Sequence, residues 1–217
     1  MRFQYILFDL DGTLTDPKDG ITRSIAYALE KLNATSLDEQ TLKSFIGPPL
    51  MESFCEFCGF DHEKAEKAIE YYRERFQQVG LYENKVYPGI EALLSSLNKK
   101  GAKLAVATSK PTIFAEEILN HFNLKQYFDV VVGSNLDGTR SAKNEVIHEA
   151  LKQLSFPPKQ KVVMIGDRKY DMIGAKKEGV SSIGVCYGYG SQEELEVEKP
   201  MGIIQDIQEL SNCLLNG

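Results

Sequence analysis

Asp9 and Asp11 stand two positions apart where the apolar run Tyr5-Ile6-Leu7-Phe8 gives way to Gly12. In an extended chain, residues i and i+2 face the same side, so both carboxylates converge on one point. Such a pair can divide a reaction, one acid attacking while its neighbour handles the proton. Gly12 permits the sharp turn that brings backbone groups close to a ligand. The carboxyl end of a buried strand is where an open α/β sheet binds what it works on, and phosphoryl transfer is the chemistry this pair suits. A second acidic pair repeats the arrangement: Lys161-Val162-Val163-Met164-Ile165 reads as a buried strand and runs into Gly166-Asp167, with Asp171 shortly after. If both strands lie in one parallel sheet, Asp9, Asp11, Asp167 and Asp171 share an edge. Four carboxylates that close repel one another and raise their pKa values unless a cation neutralises them. An acidic donor set without usable His or Cys predicts Mg²⁺.

The elements that must hold these acids are legible in outline. From Val86 onward helical and strand-like runs alternate. Helices are expected at Ile90–Lys100, Thr112–Phe122, Lys143–Leu154, 170–178, Gln192–Leu195 and 206–215. Strands are expected at Lys103–Ala107, Phe128–Val132, 161–165, 181–186 and 202–204. That rhythm predicts an α/β fold, a Rossmann-like doubly wound parallel sheet. Residues 17–84 break it. Ile21, Ile25, Ala28, Leu29 and Leu32 fall on one helical face, helical character continues through Leu42, Phe45 and Ile46, and Leu50–Phe57 and Glu63–Val79 read as further helices. The expected division is a core of 1–16 and 85–217 with an all-helical cap of 17–84 that selects substrate, hinged near 15–20 and 80–87.

Composition narrows the partners. A net charge of −6 argues against a nucleic acid polymer or an anionic membrane surface. No apolar stretch approaches the roughly 20 residues that cross a bilayer, and Met1-Arg2-Phe3-Gln4 does not open a signal peptide, so the cytoplasm is the expected compartment. Cys55-x-x-Cys58 with His62 has the look of a zinc or redox site. Phe54, Cys55, Phe57 and Cys58 make an apolar helical stripe, however, and no second such pair completes a tetrahedron. Cys186 and Cys213 read as packing. Gly188-x-Gly190 is too short for a dinucleotide fingerprint, and no G-x-x-x-x-G-K-[ST] loop is present.

Taken in order, Asp9-x-Asp11-Gly12-Thr13, Thr108-Ser109, Lys143 and Gly166-Asp167 with Asp171 resemble the signatures of the haloacid dehalogenase superfamily, in particular its phosphatases with a helical cap after the first strand. The likeness covers essentially the whole chain. Gly47-Pro48-Pro49-Leu50, Leu136–Arg140 and Gly188-Tyr189-Gly190-Ser191 are similar to the branch of phosphoglycolate phosphatases and 5′-nucleotidases. The resemblance implies that Asp9 is the nucleophile and Asp11 the acid and base, with Lys143 a cation between nucleophile and phosphate. It implies phosphate binding by Thr108, Ser109 and the N–H groups following Asp9, Gly12 among them. Mg²⁺ would sit on Asp9, the Asp11 carbonyl and Asp167, with Asp171 orienting water or Lys143 from behind. Thr108 and Ser109 have a plainer reading as caps of the helix after Pro111, and Asp171 as a first-turn acid favouring the helix dipole. The implied reaction is hydrolysis of a small phosphomonoester, 5′-nucleotides ahead of phosphoglycolate. A sugar phosphomutase would use the same acids, and Thr13 stands where such mutases tend to carry Val. A non-catalytic phosphometabolite-binding protein is the alternative of another class. Arg23, Arg73 and Arg140 are candidates for a second anionic group of the substrate. Nothing in the sequence reads out oligomeric state.

Overall fold

The computed structural model describes residues 1–216. Strand β1 (Tyr5–Phe8) and the two-residue β2 (Thr15–Asp16) come first. Helices α1 (Lys18–Lys31), α2 (Glu39–Lys43), α3 (Leu50–Cys58) and α4 (His62–Arg75) follow, then β3 (Lys85–Val86). Alternation begins with α5 (Ile90–Lys99), β4 (Lys103–Pro111), α6 (Thr112–His121) and β5 (Val130–Ser134). It continues with α7 (Lys143–Gln153), β6 (Val162–Gly166), α8 (Lys169–Glu178) and β7 (Ser181–Val185), and ends with α9 (Gln192–Val197), β8 (Gly202–Ile204) and α10 (Ile207–Asn216). The chain forms two compact units, Met1–Asp16 with the chain from Val86 onward, and Pro17–Lys85.

The first unit is built on a six-stranded sheet in the order β5-β4-β1-β6-β7-β8. Every neighbouring pair is parallel, the doubly wound arrangement expected. Such strands are buried on both faces and therefore read as continuous apolar runs instead of alternating ones. Ile6, Leu7 and Phe8 of β1 and Val162 to Ile165 of β6 have no exposure. Helix α7 lays Val146, Ile147, Ala150 and Leu151 against this floor, where they meet Leu7, Ala105, Val132 and Met164. Burying each such aliphatic side chain contributes ~1.5–3 kcal/mol. The order reverses between β1 and β6: β4 and β5 lie on one side of β1, β6 to β8 on the other. That switch point is where a crevice opens beyond the strand carboxyl ends.

Strand β4 departs from expectation. It runs on past Ala107 to Pro111, and its pairing with β5 slips: Ala107 faces Val132 and Pro111 faces Ser134. Residues 108, 109 and 110 of β4 thus stand opposite Gly133 alone, a bulge. Strand β5 itself begins later than expected, at Val130, because Lys125–Tyr127 form a 3₁₀ turn ahead of it.

The helical unit has its own core. Ile21, Ile25, Ala28 and Leu29 of α1 and Ala65, Ala68 and Tyr72 of α4 are buried, and Phe45 sets its ring 5.1 Å from Phe54 and 5.2 Å from Phe57. Two expected helices are shorter than their apolar pattern. Phe45 and Ile46 lie beyond α2, their N–H groups donating to the carbonyls of Leu42 and Lys43 three residues back. The run expected through Val79 leaves the α conformation after Arg75 and closes as a π turn, Phe76–Gly80. Cys55 and Cys58 are half-buried on α3, and all four cysteines are free thiols. No helix of the described residues is long and apolar enough to cross a membrane.

Candidate active site

Strands β1 and β6 end side by side, Phe8 level with Ile165, so Asp9 and Asp167 are delivered as neighbours by backbone register. Asp9, Asp11, Asp167 and Asp171 are all buried. One carboxylate oxygen each from Asp9, Asp167 and Asp171 falls within 4.8 Å of the others, whereas the side chain of Asp11 lies outside that trio.

Lys143 reaches this group from the first position of α7. A cation in the first turn of a helix works against the macrodipole. What holds it is the acids: Nζ lies 3.0 Å from Asp9 Oδ1 and 2.7 Å from Asp171 Oδ1, and donates to the Ala107 carbonyl at 3.2 Å. Burial disfavours the charge on Lys143, but Asp171 and Asp9 together outweigh it and raise its pKa. Asp171 does two things at once. Its Oδ2 accepts the Arg168 N–H at 3.1 Å, the first-turn role, and its Oδ1 takes the charge contact with Lys143 without a well-directed hydrogen bond. Burial raises the Asp171 pKa; Lys143 opposes the shift and Asp9 adds to it.

Asp167 receives Thr13 Oγ1 at 3.3 Å and the Tyr189 N–H at 2.8 Å, both neutral donors. Among the described residues no cation touches it. Burial first, then the charges of Asp171 and Asp9, push its pKa well above the ordinary carboxylate range. A fully buried carboxylate bonded only by neutral groups, in an all-oxygen trio, is the environment a hard divalent cation fits.

On the other side of Asp9, Asp11 Oδ2 pairs with Lys110 Nζ at 3.0 Å, and Asp11 Oδ1 is buried with no hydrogen-bond partner. Burial raises the Asp11 pKa, Lys110 pulls it down, and Asp9 pushes it up again. Thr108 is buried at the start of the bulge and accepts the Lys110 N–H at 3.2 Å. Neither Thr108 nor Ser109 caps α6, whose first turn follows Pro111 without a side-chain cap.

Gly12 corrects the reading made from sequence. Its N–H donates to the Thr15 carbonyl at 2.8 Å and is not offered to a phosphate. Position 12 instead requires glycine because φ is +81° and a Cβ there would come 2.2 Å from Asp167 Oδ2. Arg140 is likewise engaged, donating from Nε to the carbonyl of Gly133 in β5 at 2.9 Å.

Three residues near the acids were missed. Lys110 lies in the β4 bulge, where the simple strand alternation that singled out Asp11 does not hold. Tyr187 donates from its hydroxyl to the Thr13 carbonyl at 3.0 Å, and the Tyr189 hydroxyl bonds Asp16. Burial raises the pKa of both phenols. Tyr189 lies in the Gly188–Ser191 segment that carries part of the family likeness, whereas nothing in the local sequence distinguishes Tyr187 from a core aromatic.

The sequence matches the haloacid dehalogenase-like hydrolase family over residues 6–185. The chain belongs to that family. As an enzyme it stands among the family's phosphatases. It is 47% identical over 214 residues to a 5′-nucleotidase of Pseudomonas aeruginosa, covering 99% of this chain and 96% of that one. A solved structure from Clostridium acetobutylicum, described as a predicted phosphatase, superposes with a TM-score of 0.95 at 50% identity over the whole of both chains. The tyrosine-protein kinase PtkA of Mycobacterium tuberculosis is 39% identical over 89% of this chain and 65% of its own length.

Proposed function

We propose that this phosphatase hydrolyses a small phosphomonoester, with 5′-nucleotides ahead of phosphoglycolate, through a phosphoryl group carried on Asp9. The observation that supports this most is the double contact of Lys143 with Asp9 and Asp171 beside Asp167, whose hydrogen-bond donors are neutral. Asp9 Oδ1 is held by the Leu10 N–H at 2.8 Å and by Lys143, which leaves Oδ2 as the attacking atom. Attack on phosphorus and later release to water replace one difficult displacement by two easier ones. Asp11 gives a proton to the departing alcohol and then takes one from the water that frees the phosphate. Burial raises its pKa, the direction that role requires, while Lys110 opposes the shift. Lys143 neutralises charge on the equatorial oxygens, and the Thr108 hydroxyl with the Ser109 N–H holds them.

Asp9, Asp167 and the Asp11 carbonyl are the groups that would hold Mg²⁺, with Asp171 beside them. Once bound, Mg²⁺ would supply positive charge and lower the repulsion among the acids. The helical unit is assigned the choice of leaving group. The 5′-nucleotidase likeness over nearly the full length supports the nucleotide preference. A panel of nucleoside 5′-monophosphates, phosphoglycolate, hexose phosphates and an aryl phosphate, with and without Mg²⁺, tests the proposal. Release of inorganic phosphate is expected only with the ion and fastest from the nucleotides. Turnover indifferent to chelation, or a phosphate moved from one sugar hydroxyl to another, would overturn it.

A further inference from the structure

Lys110 does not belong to the reaction as read so far, yet it is built into place with unusual care. Its side chain is 5% exposed and that of Asp11 11%, so the pair lies out of water, where charges couple strongly. The β4 bulge aims it, as bulges beside active sites re-aim side chains. Opposite the bulge only glycine fits: a Cβ at position 133 would come 2.1 Å from the Lys110 carbonyl and 2.7 Å from the Thr112 nitrogen. Hydroxyls pin the same segment. Ser134 Oγ donates to the Ser109 carbonyl at 2.8 Å, and Thr112 Oγ1 accepts the Gly133 N–H at 2.9 Å. The amine thus engages one oxygen of Asp11, while the other is buried and without a partner.

We infer that Lys110 is a positioning residue for Asp11, gripping Oδ2 so that the carboxyl group is fixed in one orientation for the proton it exchanges with the leaving group. A carboxylate on an unrestrained χ2 torsion presents either oxygen in many directions. One tied to a fixed ammonium is held in a single orientation. This rests on the role given to Asp11 above, and the test separates the two ideas.

The readout is the dependence of kcat/KM on leaving group. 2,4-Dinitrophenolate departs without a proton, whereas an alkoxide does not, so the fastest-hydrolysed alkyl phosphomonoester of the panel is compared with 2,4-dinitrophenyl phosphate. Lys110→Met is expected to lose about 10²-fold on the alkyl ester and under about 10-fold on the dinitrophenyl ester, the scale of a misplaced catalytic group. Lys110→Arg keeps the charge with a different reach and should fall between, with the same bias; it carries the test if Lys110→Met does not fold. With Asp11→Asn already present, adding Lys110→Met should change either rate by less than about 3-fold, because the partner it positions is gone. That double variant leaves no buried charge of this pair unmatched. Equal losses on the two esters, or an undiminished loss in the Asp11→Asn background, would overturn the positioning role and leave the phosphatase reading standing. A wild-type chain inactive on every ester would overturn both.

Discussion

The two units treat charge in opposite ways. Among the described residues, the α/β unit buries Asp9, Asp11, Asp167, Asp171, Lys110 and Lys143 completely or nearly so, while the only buried polar side chains of the helical unit are Ser24 and Ser53. Those two hydroxyls return to their own helix, to the carbonyls of Gly20 at 2.7 Å and Pro49 at 3.3 Å. Charged groups of the helical unit are exposed or half-buried, as in the Arg23 and Arg75 pairs with Glu83. Burying a charge is expensive unless it is paired, so proteins keep buried ionic clusters where chemistry needs them. One unit therefore declares its chemistry in its interior. The other keeps its charged groups at least partly exposed.

Breaking the buried cluster should do far more than breaking a surface pair. Lys143→Met strands Asp9 and Asp171 without their shared cation. It should lower kcat by about 10²–10³-fold and destabilise the protein by ~3–5 kcal/mol, read by steady-state kinetics and by urea denaturation. Adding Asp171→Asn to it should recover part of the stability and none of the rate. Gly12→Ala drives a methyl group against Asp167, so the Mg²⁺ concentration for half-maximal activity should rise about 10- to 100-fold with a smaller change in kcat. The smallest effect is expected in the helical unit. The Arg75 hydrogen bond is the main cause of a lowered Glu83 pKa, with burial opposing it and Arg23 assisting. A depressed carboxylate stabilises above its unfolded pKa of about 4.3, and that stability is lost as pH falls through the lower folded value. Glu83→Gln should thus cost ~0.2–1 kcal/mol at neutral pH and progressively less as pH falls through the folded pKa, seen as a difference in Tm that narrows on acidification.

The same contrast explains what could be read from the sequence. Buried parallel strands leave continuous apolar runs, and the acids that end β1 and β6 stand out because a strand end has no other use for them. Lys143 was legible only as a member of an ordered set of signatures; alone it resembles any lysine on a helix. Lys110 escaped because a bulge is a tertiary event: Ala107 and Pro111 find partners on β5, and the slack between them depends on Gly133. Phe45 and Ile46 carry a helical pattern without a helix, their apolar side chains serving the helical core from turns. Gly12 was assigned to phosphate by the family resemblance, and here the tight return to Thr15 engages its N–H.

The central claim is a phosphoryl group held covalently by one side chain. Rapid acid quench of wild type turning over a labelled phosphomonoester with Mg²⁺, followed by peptide mass analysis, should place a phosphoryl group on Asp9, with no adduct in Asp9→Asn. Steady turnover by wild type with no protein-bound phosphate at any quench time, together with undiminished hydrolysis by Asp9→Asn, would contradict it.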